Sequence, residues 1–196
     1  MEIEKYAHET YVPIIRKEME SFLKVMLEIK KPKRVLELGC AIGYSAILMS
    51  EHLPKGSTIT TIENYDKRIP IARENFKKAG KEGVITLIEG DALEILPTLK
   101  EKYDFIFMDA AKAQYINFLP HLLNLMEEGA VLISDNVLQE GELIESRYGV
   151  ERRNRTIHSR MREYMYAVKH SDVLETTIVP IGDGITMSVY KGECDE

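Results

Sequence analysis

Residues 34–45 run R34-V-L-E-L-G-C-A-I-G-Y-S45. Val35, Leu36 and Leu38 make a short apolar run with basic residues before it and glycines after it, the pattern of a buried strand. Gly39 and Gly43 supply the backbone freedom for a tight turn and for close approach to a ligand. From Tyr44 the spacing turns helical, with Ile47, Leu48 and Leu53 on one side. Strand, glycine turn and helix start together describe a nucleotide-type pocket at the carboxyl end of a first parallel strand. An ordinary strand-to-helix connection has the same appearance in isolation, so the rest of the chain has to separate the two.

Downstream, β and α patterns alternate. Thr58–Glu63 is β-branched and alternating, and a helix is expected from about Lys67 to Ala79. Ile85–Glu89 is a third strand, and Tyr103–Met108 is a nearly pure apolar run suited to a strand buried on both faces. A helix with Tyr115, Phe118, Leu119, Leu122, Leu123 and Leu125 follows, closed by Gly129. Ala130–Ser134 is a fifth strand. Two last strands, Thr176–Ile181 and Ile185–Tyr190, flank a Gly182-Asp183-Gly184 turn. Ahead of all this, apolar residues from Thr10 to Ile29 form one amphipathic helix, ended by Lys30-Lys31-Pro32. That helix could cover the pocket or form a dimer face. The expected architecture is a doubly wound, mostly parallel seven-stranded α/β sheet with an antiparallel C-terminal hairpin.

The chain has 196 residues, 44% of them hydrophobic, and a formal net charge of −6. That length suits one domain spanning 1–196, with residues 1–32 as an N-terminal helical cap. No apolar run is long enough to cross a membrane, and the charged start M-E-I-E-K-Y is not that of a signal peptide. Cys40 and Cys194 make neither a disulfide framework nor a zinc site. A cytoplasmic protein is the expectation. The acidic balance argues against general coating of nucleic acid, although local clusters can depart from it.

In a sheet of this kind, ligands bind beyond the carboxyl ends of the strands. There the sequence places the glycine turn, then Glu63, Asp91, Asp109 and Asp135-Asn136. Any one such acid could be a helix N-cap; five coincidences along one edge weaken that explanation. Glu63, twenty residues past Gly43, could accept ribose hydroxyls. Asp91 beside Ala92 could read an adenine edge or cap a short helix. Asp109, Asp135 and Asn136 offer two carboxylates and an amide oxygen, which suit a hard divalent cation such as Mg²⁺. Lys112, three residues past Asp109, would lie near that ion, or would be a solvated helix-start lysine.

These segments resemble a known family. E37-L-G-C-A-I-G-Y-S45, I62-E63, G90-D91-A92, F107-M-D109-A-A-K112 with Tyr115, and S134-D135-N136 resemble the cation-dependent class I O-methyltransferases of the catechol and caffeoyl-CoA type. Ala41 stands where the general methyltransferase loop has its middle glycine, a departure this branch allows. The resemblance runs from about Tyr11 to Tyr190. It implies a Rossmann-like fold, S-adenosyl-L-methionine as methyl donor and Mg²⁺ or Mn²⁺ as metal, with a homodimer. It further implies that Glu37, Gly39 and Ser45 contact the methionine part, Glu63 the ribose, and Asp91 with Ala92 the adenine. Asp109 would serve both metal and cofactor amine, Asp135 and Asn136 would complete the metal shell, and Ile15 on the first helix would touch the cofactor. Lys112 is the candidate base or electrostatic partner for an acceptor hydroxyl chelated by the ion.

The acceptor has to be read elsewhere. Between Arg147 and Arg162 six arginines stand against one glutamate. A solvated helix face would explain this, but the run follows directly after Asp135-Asn136, where acceptor-gating loops are expected. Arginine suits phosphate contacts. The E151-R-R-N-R-T-I-H-S-R-M-R162 segment also resembles the bacterial branch that methylates 5-hydroxyuridine at the tRNA wobble position, whose 5-hydroxyl and 4-carbonyl form a chelating pair like that of a catechol. Under that reading Arg152, Arg153 and Arg155 contact the anticodon loop, a single-stranded element whose bases can be splayed into a pocket. The alternative acceptor is a small catechol-like phenol. A dinucleotide-binding oxidoreductase or a non-catalytic binding domain would share the fold, and the loop spacing, which lacks G-x-G-x-x-G, disfavours it.

Overall fold

The computed structural model describes residues 2–138 and 155–192. Seven strands form a mixed sheet, with parallel pairing among the first three and between the fourth and fifth, and with the seventh running antiparallel to both the fifth and the sixth. The chain gathers into two compact units, Met1–Glu94 and Ile95–Glu196.

The first unit opens with helices α1 (Glu2–Thr10) and α2 (Lys17–Lys30). The single helix expected over Thr10–Ile29 is therefore broken. Tyr11 sits at φ 54°, and an extended stretch holding Pro13 leads into α2. Proline lacks an amide hydrogen and pushes the residue before it out of helical backbone, so the break falls where the expected helix had to accommodate Pro13. Ile15 consequently lies on this extended stretch and not on a helix, and it is buried. Beyond α2 come β1 (Arg34–Leu38), α3 (Tyr44–Glu51), β2 (Thr58–Glu63), α4 (Ile69–Lys78), β3 (Ile85–Glu89) and the short α5 (Ala92–Ile95). Strand β2 lies between β1 and β3, parallel to both, with Leu38 opposite Ile62 and Glu63 opposite Glu89. This register brings the ends of the strands, and the acids they carry, to one edge.

The second unit holds β4 (Tyr103–Met108), a 3-10 turn at Lys112–Gln114, α6 (Tyr115–Leu125), β5 (Met126–Ser134), α7 (Arg155–Lys169), β6 (Leu174–Val179) and β7 (Ile185–Tyr190). Phe105, Ile106, Phe107 and Met108 are all fully buried, as a strand covered on both faces requires. Strand β5 begins four residues earlier than its apolar run suggests. Gly129 does not stop a helix there; it takes φ 75° inside the strand, where the β4–β5 register shifts between Tyr103 and Phe105. A glycine within a strand commonly marks such a bulge. Strand β7 runs antiparallel between β5 and β6. Helix α7 turns His158, Met161, Tyr164, Met165 and Val168 inward, a helical stripe.

Candidate active site

Of the residues expected to hold the cofactor, all but Asp109 lie in the first unit. Glu37 ends its side chain inside the fold, where its carboxylate accepts hydrogen bonds from the hydroxyls of Ser45 and Thr61. The start of α3 is thereby tied to both strands beneath the turn. The turn itself leaves β1 through Gly39, whose amide donates to the Ile62 carbonyl at 2.9 Å. Asn75 of α4 holds it from behind, donating to the Ile42 carbonyl at 2.8 Å.

Glu63 is the hub of this edge. Its Oε2 accepts the amide of Ala41 at 2.8 Å, and its Oε1 accepts those of Asn64 and Tyr65 at 3.0 and 2.9 Å. A carboxylate has about four acceptor sites, so Oε2 keeps room for a further hydroxyl. The Glu63 carbonyl takes the Gly90 amide at 2.9 Å, which brings Gly90-Asp91-Ala92 to the same place. Asp91 caps α5 through the Leu93 amide at 2.8 Å and stays exposed. The helix-capping explanation of Asp91 is thus met.

Cys40 sits in the turn, buried. Burial pushes its thiol well above the usual range, and the negative charges of Glu37 and Glu63 push it further. It is a neutral packing group and not a nucleophile.

The residues expected to hold a metal lie in the second unit. Asp109 follows β4, and Asp135 and Asn136 follow β5; the Asp135 amide donates to the Met108 carbonyl at 3.0 Å, the last rung before the chains part. Asn136 then takes φ 57°, left-handed backbone that asparagine tolerates better than most residues. That conformation sets the Asn136 side-chain amide 3.4 Å from Asp109 Oδ1. Both carboxyls are shifted upward by burial. Asp109 is raised against the opposing pull of Lys112, and Asp135 is pushed up to about 7 by burial and by the charge of Asp109.

The site is therefore short of positive charge. One buried and one half-buried carboxyl and an amide, which presents oxygen or nitrogen by rotation, make an oxygen donor set that fits a hard divalent cation. Among the described residues, no group of three or more His, Cys, Asp or Glu could hold a metal. Any ion here would rest on two acids and Asn136, with positions left for water and acceptor oxygens. Lys112 opens the 3-10 turn after Asp109, partly exposed, and its charge lowers both carboxyls.

Two features of this half escape a reading of the sequence. Asp183, in the β6–β7 turn, adds negative charge that raises Asp135; the same turn accepts the Val137 and Leu138 amides through the Gly184 and Asp183 carbonyls. A G-D-G signature announces a turn but not where it docks. Tyr115 is the other. It scores as one more apolar position of a helix, yet its hydroxyl reaches the carbonyls of Met108 and Asp135. Of the arginine run, Arg152 and Arg153 lie outside the described residues and Arg155 begins α7. Arg160 donates to the Ala113 carbonyl at 3.2 Å, tying α7 to the turn that carries Lys112.

Residues 2–191 match a family model described as O-methyltransferase. The chain belongs to that family. This methyltransferase is 31% identical over 177 residues to caffeoyl-CoA O-methyltransferase 2 of Populus trichocarpa, covering 85% of the chain and 70% of the relative. It is 34% identical over 128 residues to the catechol O-methyltransferase of Niastella koreensis, covering 63% and 58% respectively. Its fold matches the crystal structure of the O-methyltransferase from Bacillus cereus in complex with SAH. The TM-score is 0.87 at 26% identity, covering 97% of this chain and 89% of the other. The fold is Rossmann-like, and the enzyme is an S-adenosylmethionine-dependent O-methyltransferase.

Proposed function

We propose that this methyltransferase methylates a hydroxyl that has a second oxygen beside it, and that the acceptor is 5-hydroxyuridine at the tRNA wobble position. The observation that carries the first part is the convergence of Asp109, Asp135 and Asn136 with both carboxyls shifted up by burial. Such a set calls for a divalent ion, Mg²⁺ or Mn²⁺, and two vicinal acceptor oxygens would complete its shell. When bound, the ion supplies Lewis acidity that lowers the acceptor hydroxyl's pKa.

The protein's own groups supply the rest. Glu63, prefixed by three amides, accepts a ribose hydroxyl, and Asp91 with Ala92 faces the base. Gly39, Glu37 and Ser45 shape the turn under the methionine part, and the buried Ile15 adds an apolar contact. Asp109 serves the metal shell and the cofactor amine. Lys112 stabilises the acceptor oxyanion or takes its proton. Methyl transfer to that oxygen is an in-line displacement whose rate depends on holding donor and acceptor in line.

The second part rests on the six arginines between Arg147 and Arg162, with Arg152, Arg153 and Arg155 as contacts to the anticodon loop. A second reading, a small catechol-like phenol, is favoured by the names of the Niastella and Populus relatives. The enzyme is taken as a cytoplasmic homodimer, and the exposed Val25 and Ile29 on α2 support an apolar contact between copies.

The deciding experiment incubates methyl-labelled S-adenosylmethionine with tRNA lacking the wobble methyl mark, beside a catechol panel. Label in tRNA supports the first reading; label in catechols alone replaces it with the second. Asp135→Ala should abolish turnover while cofactor binding persists. Full activity of that variant in the presence of a chelator would overturn the metal mechanism.

A further inference from the structure

Tyr115 has no part in the chemistry above, yet its hydroxyl sits between the two strand ends that carry the candidate metal-holding residues. Its ring is fully buried at the start of α6. Its hydroxyl lies 3.1 Å from the Met108 carbonyl and 3.2 Å from the Asp135 carbonyl. Met108 precedes Asp109 in the chain, and Asp135 is the acid of the neighbouring strand end. One hydroxyl proton is thus shared between the two strands at the point where their ladder stops and the candidate metal-holding residues begin.

The arrangement is braced from the far side. Tyr164 of α7 packs edge-on against the Tyr115 ring, with centroids 5.5 Å apart and planes at 79°. The Tyr164 hydroxyl bonds to Ser134, the residue before Asp135. Each of the last two residues leaving β5 is therefore held by a tyrosine, one from each helix. Past this point the backbone must enter the left-handed conformation of Asn136, which unsupported chain would leave readily.

We propose that Tyr115 is a positioning residue: its hydroxyl clasps the ends of β4 and β5 and so fixes the separation at which Asp109 and Asp135 face a divalent ion. This rests on the metal reading given above. It differs from a packing role, because the ring alone would satisfy packing while the clasp needs the oxygen. Groups that orient metal ligands without touching the metal commonly change affinity by roughly 10- to 100-fold when removed.

The test is Mn²⁺ binding to the full-length protein by calorimetry or electron paramagnetic resonance, comparing wild type with Tyr115→Phe. The expected result is Mn²⁺ affinity lower by tenfold or more, with S-adenosylhomocysteine binding unchanged, and turnover restored in part by raised Mn²⁺. Equal Mn²⁺ affinity in the two proteins would overturn the clasp while leaving the metal reading intact. Failure of the wild type to bind Mn²⁺ would overturn the metal reading and the clasp with it. Should Tyr115→Phe not fold, Tyr164→Phe is the substitute. It removes the Ser134 bond and keeps the ring, and the clasp predicts a smaller loss of Mn²⁺ affinity in the same direction; no change there would count against it.

Discussion

Two residues of one turn, Ala41 at φ 47° and Gly43 at φ 84°, share left-handed backbone and differ in what surrounds them. Ala41 bears its side chain there at a cost of about 1–2 kcal/mol, with its amide fixed on Glu63. At Gly43 a Cβ would fall 2.4 Å from the Phe76 ring. Gly43→Ala should therefore lose about 2–4 kcal/mol, from backbone strain and overpacking together. Urea denaturation would measure it, and a loss under 1 kcal/mol would show that Phe76 can move aside. Cys40, next to Ala41 in the same turn, gives a pH prediction. Its thiol is raised in the fold, so native protein holds a proton that the unfolded chain releases near pH 8.5. That stabilisation is complete below pH 8 and is lost as pH climbs past the ordinary cysteine range. Between pH 7.5 and 9.5 the wild type should lose more stability than Cys40→Ala, by up to about 1 kcal/mol. Equal pH dependence in the two would refute the assignment.

At the scale of elements, a buried hydrogen bond ties α2 to α3. Tyr44, pushed up to about 12 by burial and by Glu20, donates to the Glu20 carboxylate at 2.7 Å. Lys17 reaches the same oxygen at 2.9 Å. Tyr44→Phe leaves Glu20 with its lysine partner and should cost about 1–2 kcal/mol, read as a lower urea midpoint with unchanged slope. Much of the element order was legible in the sequence, because strands buried on both faces and helices with one apolar stripe leave distinct periods. The exceptions have particular causes. The N-terminal break was hidden because the apolar spacing continues across Tyr11 and Pro13. Strand β5 was read short because Glu127, Glu128 and Gly129 look like a helix end, whereas pairing with β4 overrides that local preference. The acids at the strand ends were legible from topology alone. The clasp by Tyr115 and the nearness of Asp183 were not, since a tyrosine in an apolar stripe and an acid in a turn have commoner explanations that sequence spacing does not exclude.

At the scale of the whole chain, a formal charge of −6 coexists with an arginine run, so the acceptor surface would work against the field of the rest. With tRNA as acceptor, KM should rise steeply with salt, because each arginine–phosphate contact releases counterions. Replacing Arg152, Arg153 and Arg155 together should flatten that slope and weaken tRNA turnover, while S-adenosylhomocysteine binding stays the same. A slope equal to that of the wild type would remove these arginines from the RNA contact.

The carboxylate of Glu63, held by three backbone amides, has a consequence for turnover. On the proposed assignment it grips the nucleoside, which is identical in methyl donor and demethylated product. Binding strength from that grip is uniform along the reaction and does nothing to expel the product. The enzyme should be competitively inhibited by its own product at concentrations comparable to the donor's KM. Sustained methylation would then depend on a separate hydrolytic activity that cleaves the spent nucleoside.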